Sequence, residues 1–143
     1  MDEQTMCRHS IAGDTPEARS ASLWLRLVAL AQALYYIITG IWPLVSIDTF
    51  QKVTGPKVDR WLVKIVGALI TVVGGVLMVA GLRRRPGPEA TLLAIGSAGV
   101  LAAGDVVYVA KRRISPIYLL DALGELLLIA GWIAALSRRT SVG

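Results

Sequence analysis

The sequence predicts an all-α polytopic membrane protein, a bundle of four transmembrane helices. Three observations carry that prediction. Of 143 residues, 55% are apolar and only 17% are charged, where an ordinary soluble domain carries about 25% charged residues. The mean hydropathy is +0.61. The charges fall in clumps that separate long apolar runs, which is the pattern of repeated membrane crossing. The length allows one domain.

A hydrocarbon core about 30 Å thick takes about 20 helical residues to cross. Four stretches meet that requirement, residues 23–45, 61–82, 90–110 and 116–136. A polar N-terminal tail, 1–22, precedes this four-helix domain (23–136), and a short tail, 137–143, follows it. The N-terminal tail carries Asp2, Glu3, Asp14 and Glu17 and has no apolar centre, so it does not read as a cleaved signal peptide, and the first span is expected to serve as an uncleaved anchor.

The first connection, residues 46–60, is the longest. It reads as a short interfacial helix capped by Asp48, with Phe50 and Val53 dipping into the headgroup region; an ordinary ordered loop is the open alternative. Thr54-Gly55-Pro56-Lys57 then supplies turn chemistry. Arg83-Arg84-Arg85-Pro86-Gly87-Pro88 stops the second span. Ser115-Pro116 is expected to provide an N-cap and a proline at the first position of the fourth. The last two connections are short, so sequential helices are expected to lie antiparallel with both termini on one side, called side A here; the opposite face is side B.

Small residues recur at four-residue spacing: Gly67, Thr71 and Gly75 on the second span, Ala94, Ala98 and Ala102 on the third, Ala130 and Ala134 on the fourth. Such ridges let helices approach closely, and packing within the bundle is favoured over a dedicated dimer face. A homodimer is an open alternative.

The charges do not set an orientation by count. Side A has Arg8, Arg19, Arg83, Arg84, Arg85, Arg138 and Arg139, with Arg26 just inside the first span. Side B has Lys52, Lys57, Arg60, Lys111, Arg112 and Arg113. The density of the arginine triplet and the Arg138-Arg139 pair favours cytoplasmic termini in a bacterial inner membrane. The basic flanks find their partner in the lipid bilayer, and no nucleic-acid partner is expected. Cys7 and His9 are the single cysteine and histidine, both in the tail, so an internal disulfide and a Cys/His metal or haem site are not expected. No metal and no cofactor are expected.

Ionisable residues inside membrane spans are costly and tend to face the bundle interior. Here they gather in the side B half: Asp105 on the third span, Asp121 and Glu125 on the fourth, and Lys64 entering on the second. Helical spacing places Tyr118, Asp121, Glu125 and Trp132 on one face and Asp105 with Tyr108 on another. The first span adds Gln32, Tyr35, Tyr36, Thr39 and Trp42. With Trp61 these residues are expected to line an acidic, aromatic cavity opening toward side B. Trp42, Trp61, Tyr108 and Tyr118, taken singly, read more as interface-belt aromatics than as pocket walls. Trp24, Arg26 and Trp132 read as side A anchors by residue type. For Asp105 and Asp121 a structural pairing weighs as much as a functional role, while the depth of Glu125 favours function.

Three carboxylates against one lysine leave excess negative charge in a low-dielectric region, which a proton or a cation must compensate. Asp121 and Glu125, one turn apart, are expected to share a proton. The candidate ligand-binding residues are Tyr35, Tyr36, Lys64, Asp105, Tyr108, Tyr118, Asp121 and Glu125, and the class of ligand is a small amphiphilic or cationic molecule, taken up by a binding protein or a proton-coupled transporter. Two alternatives stay open: a membrane enzyme acting on a lipid-like substrate by carboxylate acid/base chemistry, and a ligand-free structural subunit. Trp61-Leu-Val-Lys64-Ile-Val-Gly67 also echoes Tyr118-Leu-Leu-Asp121-Ala-Leu-Gly124, a pattern expected of an internal duplication or of chance between two apolar helices.

Four spans in a small chain, with Trp42-Pro43, Thr54-Gly55-Pro56-Lys57, Trp61-Leu62-Val63 and the Asp105/Asp121/Glu125 set, resemble small bacterial integral membrane proteins of the DoxX-like four-helix kind across residues 23–136. That resemblance implies the architecture and no activity. A second likeness, to the four-helix sterol-isomerase and sigma-receptor group, rests on membrane carboxylates beside aromatics, and the lack of a membrane histidine weighs against isomerase chemistry.

Overall fold

A computed structural model describes residues 16–56, 58–83 and 86–141. Among these residues the chain is five helices and no strand: α1 (Pro16–Val45), α2 (Ile47–Thr54), α3 (Arg60–Leu82), α4 (Pro88–Ala110) and α5 (Tyr118–Thr140). All but the short α2 are long and apolar enough to cross a membrane, and the protein is a multi-pass, four-helix membrane bundle. Lys57, Arg84, Arg85 and the tail residues Arg8, Cys7 and His9 lie outside the described residues.

The helix ends follow from local chemistry. α1 begins at Pro16, seven residues before the apolar span. Proline is preorganised for the first helical position, and Glu17 complements the N-terminal dipole. Pro43 has no N–H for the Thr39 carbonyl, and α1 ends two residues later. The first connection is a helix, as one of the two sequence readings expected, but Asp48 does not cap it. No side-chain cap bond is present, and Asp48 instead forms an ion pair with Arg60. A charged hydrogen bond to a guanidinium outweighs a cap whose backbone donors lie at the polar surface.

α4 ends in a Schellman motif, with the Arg112 and Arg113 amides donating to the Val109 and Tyr108 carbonyls. Arg112 supplies the left-handed residue at φ 54°. α5 begins at Tyr118, two residues later than Ser115-Pro116 suggested. The amides of Tyr118, Leu119 and Leu120 each bond three residues back, so the proline opens a tight 3₁₀-type turn that precedes the α-helix.

Cross-helix contacts fix the topology. Arg26 Nε donates to the Gly81 carbonyl at 3.1 Å, while Gly40 lies against Gly67 and Thr71, so α1 and α3 run antiparallel. Trp132 meets Gln32 and Glu125 meets Tyr36, so α1 and α5 run antiparallel too. Gln32 meets Ala94 and Tyr36 meets Ser97, which sets α4 parallel to α1. α1 is thus the central helix. Its extensive partner is α3 and that of α4 is α5, while α3 and α4 meet only at a margin.

The close crossing of α1 and α3 uses Gly67, Gly74 and Gly81, each with an α1 atom within 3 Å of where a Cβ would stand. The expected ridge with Gly75 is corrected: nothing lies within 4 Å of that position. At 100° per residue a seven-residue step returns within 20° of the same face, whereas the eight-residue step from Gly67 to Gly75 swings it about 80° away. Ala94, Ala98 and Ala102 are buried, as a packing ridge requires. Ala130 and Ala134 are exposed, and α5 instead buries Ala122 and Ala135 with Glu125 and Trp132, because its inward face is already set by those two large polar-tipped residues.

Candidate functional site

The interior of the bundle is crossed by a ladder of polar side chains on α1, α4 and α5. On α1, Gln32, Tyr35, Tyr36 and Thr39 occupy i, i+3, i+4 and i+7, one face of the helix. Gln32 and Tyr36 are buried and Tyr35 is half-buried. On α5, Asp121, Glu125 and Trp132 present the complementary face.

The deepest rung joins three helices. Trp132 Nε1 donates to Gln32 Oε1 at 2.7 Å, and Gln32 Nε2 donates to the Ala94 carbonyl at 2.9 Å. Trp132 and Gln32 are both 0% exposed. The anchoring role expected for Trp132 is therefore corrected: its indole N–H is committed inside the bundle, where an apolar surrounding makes a paired donor far better than an orphan. Trp24 does sit at the surface, with Arg138 stacked over its ring at 5.0 Å, and Arg26 caps the C-terminal turn of α3 through Gly81.

The middle rung carries the deepest charge. Glu125, 1% exposed, lies about 10 Å along α5 from its first residue. Tyr36 donates to Glu125 Oε2 at 3.0 Å, and its hydroxyl also lies 3.3 Å from Ser97 Oγ. Ser97 in turn donates to the Leu93 carbonyl at 2.7 Å. The outer rung pairs the Tyr35 hydroxyl with Asp121 Oδ1. Asp121 lies in the first turn of α5, shallower than expected because α5 starts at Tyr118, and the helix N-terminus favours its charge there. Asp105 is half-buried and lies within electrostatic reach of Tyr35, Glu125 and Tyr118. Tyr118, also half-buried, is held by a hydrogen bond with Thr54 at the end of α2.

Counting hydrogens shows what this arrangement does chemically. With Glu125 ionised, Tyr36 donates to it and Ser97 donates to a backbone carbonyl, so the 3.3 Å Tyr36–Ser97 contact has no hydrogen. With Glu125 protonated, its O–H donates to Tyr36, Tyr36 donates to Ser97 and Ser97 to Leu93, and every contact is filled. The two protonation states thus differ by one filled contact: the protonated carboxyl completes the chain, and the ionised one leaves the Tyr36–Ser97 contact without a hydrogen. Neither Asp121 nor Glu125 meets a lysine or arginine among the described residues.

Of the eight candidate residues, Tyr35, Tyr36, Asp105, Tyr118, Asp121 and Glu125 converge. Lys64 and Tyr108 do not, because both are exposed. The Tyr108 ring stacks instead under Lys111, 5.9 Å from its ammonium. Lys64 lies near the start of α3, one turn beyond the contact of Gly67 with Gly40 and Pro43, at the margin of the α1–α3 crossing where its long side chain extends outward. Lys64 and Asp121, matched in the internal echo, thus sit in different surroundings. Trp42 and Trp61 are exposed, Trp42 bonding Thr49 and stacking edge-on with Phe50. Sequence reasoning left out Ser97 and underrated Gln32. Both had a signal: Ser97 lies three residues from Ala94 on the buried ridge, and Gln32 four from Tyr36.

No protein-family model, curated protein or solved structure matches this chain.

Proposed function

We propose that the protein binds a small amphiphilic or cationic molecule at the Tyr35/Tyr36/Asp121/Glu125 site in exchange for a proton, with both termini in the cytoplasm of a bacterial cell. The observation that carries this reading is Glu125: a carboxyl 1% exposed, bonded to Tyr36 and meeting no cationic side chain among the described residues. A buried charge without a counterion is strongly disfavoured, so the site holds either a proton or a cation. The tyrosine rings, 6.1 Å apart and tilted by 45°, add π-faces that attract an organic cation. Half-buried Tyr35, Asp105 and Asp121 form the approach from side B.

The ligand-free structural reading draws support from the deep rung, where Gln32 and Trp132 satisfy each other. Glu125→Gln separates the two. Gln keeps the shape and one acceptor but holds no titrating proton. Purified protein in a lightly buffered micelle solution is expected to release about one proton on binding tetraphenylphosphonium, and E125Q to remain folded with that release gone. A folded E125Q that releases protons as the parent does refutes the exchange, and an E125Q that does not fold supports the structural role.

A further inference from the structure

A concave feature lies at the opposite end of the bundle from the carboxylates. α3 and α4 are joined by only five residues, 83–87, yet their faces barely touch. Between their side A halves runs an open groove of about 680 Å³, walled by Gly75, Val76 and Val79 of α3 and Leu93 of α4, with Arg83 and Glu89 at its mouth.

We propose that this groove holds one acyl chain of an anionic phospholipid, with its phosphate on Arg83. Both walls belong to membrane-spanning helices, so the groove faces hydrocarbon, and an unfilled apolar slot forfeits dispersion contacts along its whole lining. Gly75 adds no side chain to its wall. A Cβ there meets nothing within 4 Å, so glycine at this position serves no helix contact within the chain. The mouth lies at the end of α3, at headgroup depth. Arg83 is exposed, and among the described residues no ion pair joins it to Glu89.

The Glu89 carboxylate folds back over Gly87 at the first turn of α4, where a Cβ on Gly87 would lie 2.5 Å from its Oε2. There the helix dipole offsets its charge. Two more arginines follow Arg83 in the sequence, so the local balance is cationic, and a guanidinium matches phosphate geometry well. Basic pockets between helices at the membrane surface bind anionic headgroups in this way. A second copy of the chain is a poorer occupant, because a two-fold contact through this groove sets the Arg83 of one copy against that of the other.

Native mass spectrometry of the detergent-purified protein, incubated with equal amounts of phosphatidylglycerol and phosphatidylcholine of the same acyl chains, tests the proposal. One phospholipid per chain is expected to be retained, with phosphatidylglycerol preferred. Arg83→Gln should lower that preference about fivefold, the effect of one surface charge, with phosphatidylcholine retention falling less because its choline offsets the phosphate charge. Gly75→Leu, which fills the slot from within, should abolish retention of both lipids; Val79→Phe, filling it from the same wall, should do the same and covers a Gly75→Leu chain that does not fold. Full retention in a folded groove-filling variant, or an unchanged headgroup preference in Arg83→Gln, overturns the proposal. So does a wild-type dimer that Gly75→Leu converts to a monomer without loss of lipid.

Discussion

Two glycine-to-alanine substitutions, at Gly40 and at Gly75, test how the bundle is held together. At Gly40 a new Cβ would stand 2.6 Å from the Gly67 carbonyl and 2.8 Å from the Thr71 amide, with Thr71 Oγ1 at 2.5 Å. The first two are backbone atoms and cannot rotate aside. To move the Gly67 oxygen from 2.6 Å to the 3.4 Å of ordinary contact, α1 and α3 must part by about 0.8 Å at their crossing. Overpacking of that kind costs about 1–3 kcal/mol, and the helix propensity of alanine over glycine returns about 1 kcal/mol. Gly40→Ala is therefore expected to destabilise the protein by up to about 2 kcal/mol once both effects are combined, and to be less stable than Gly75→Ala, which has the same propensity gain, by about 1–3 kcal/mol. At Gly75 nothing lies within 4 Å, so only the propensity gain remains and Gly75→Ala is expected to be neutral or stabilising by up to about 1 kcal/mol. Unfolding of both purified variants by SDS titration in mixed micelles, followed by helical circular dichroism, measures the difference. Equal stability of Gly40→Ala and Gly75→Ala would refute the glycine crossing.

The deep rung predicts a coupled pair. Trp132→Phe orphans Gln32 Oε1 and Gln32→Leu orphans the indole N–H, each expected to cost about 1–3 kcal/mol; the double variant has neither orphan and should lose less than the sum, by about 0.6–1.7 kcal/mol. Strict additivity in the same SDS assay would show that the two side chains do not bond. For orientation, a cysteine placed at exposed Lys52 should react with an impermeant thiol reagent added to intact cells while native Cys7 stays protected. Labelling of Cys7 alone would place the termini outside, and equal labelling would indicate dual insertion.

The four spans, their antiparallel order and the inward set of Asp105, Asp121 and Glu125 were legible in the sequence because each depends on local quantities. An apolar run must be about 20 residues long to cross the bilayer, and a carboxyl within it must turn from lipid whatever its neighbours are. The same locality explains the 47–54 helix, whose apolar and polar residues alternate at helical spacing. Other features depended on which face of one helix meets which face of another, and composition does not encode that. Gly67 and Gly75 look alike in the sequence, yet one is pressed against Gly40 and the other lines a groove. Lys64 lies at the same depth as the carboxylates, but it stands at the margin of the α1–α3 crossing, one turn beyond Gly67, and its side chain is exposed. Trp132 has the residue type of an interfacial anchor, and only the antiparallel register of α1 and α5, which brings it level with Gln32, decided that its N–H is spent in the core. A helix surface offers several faces of similar apolarity, so the choice among them is a property of the assembled bundle: it is made by close backbone approach at glycine and by pairing every buried donor.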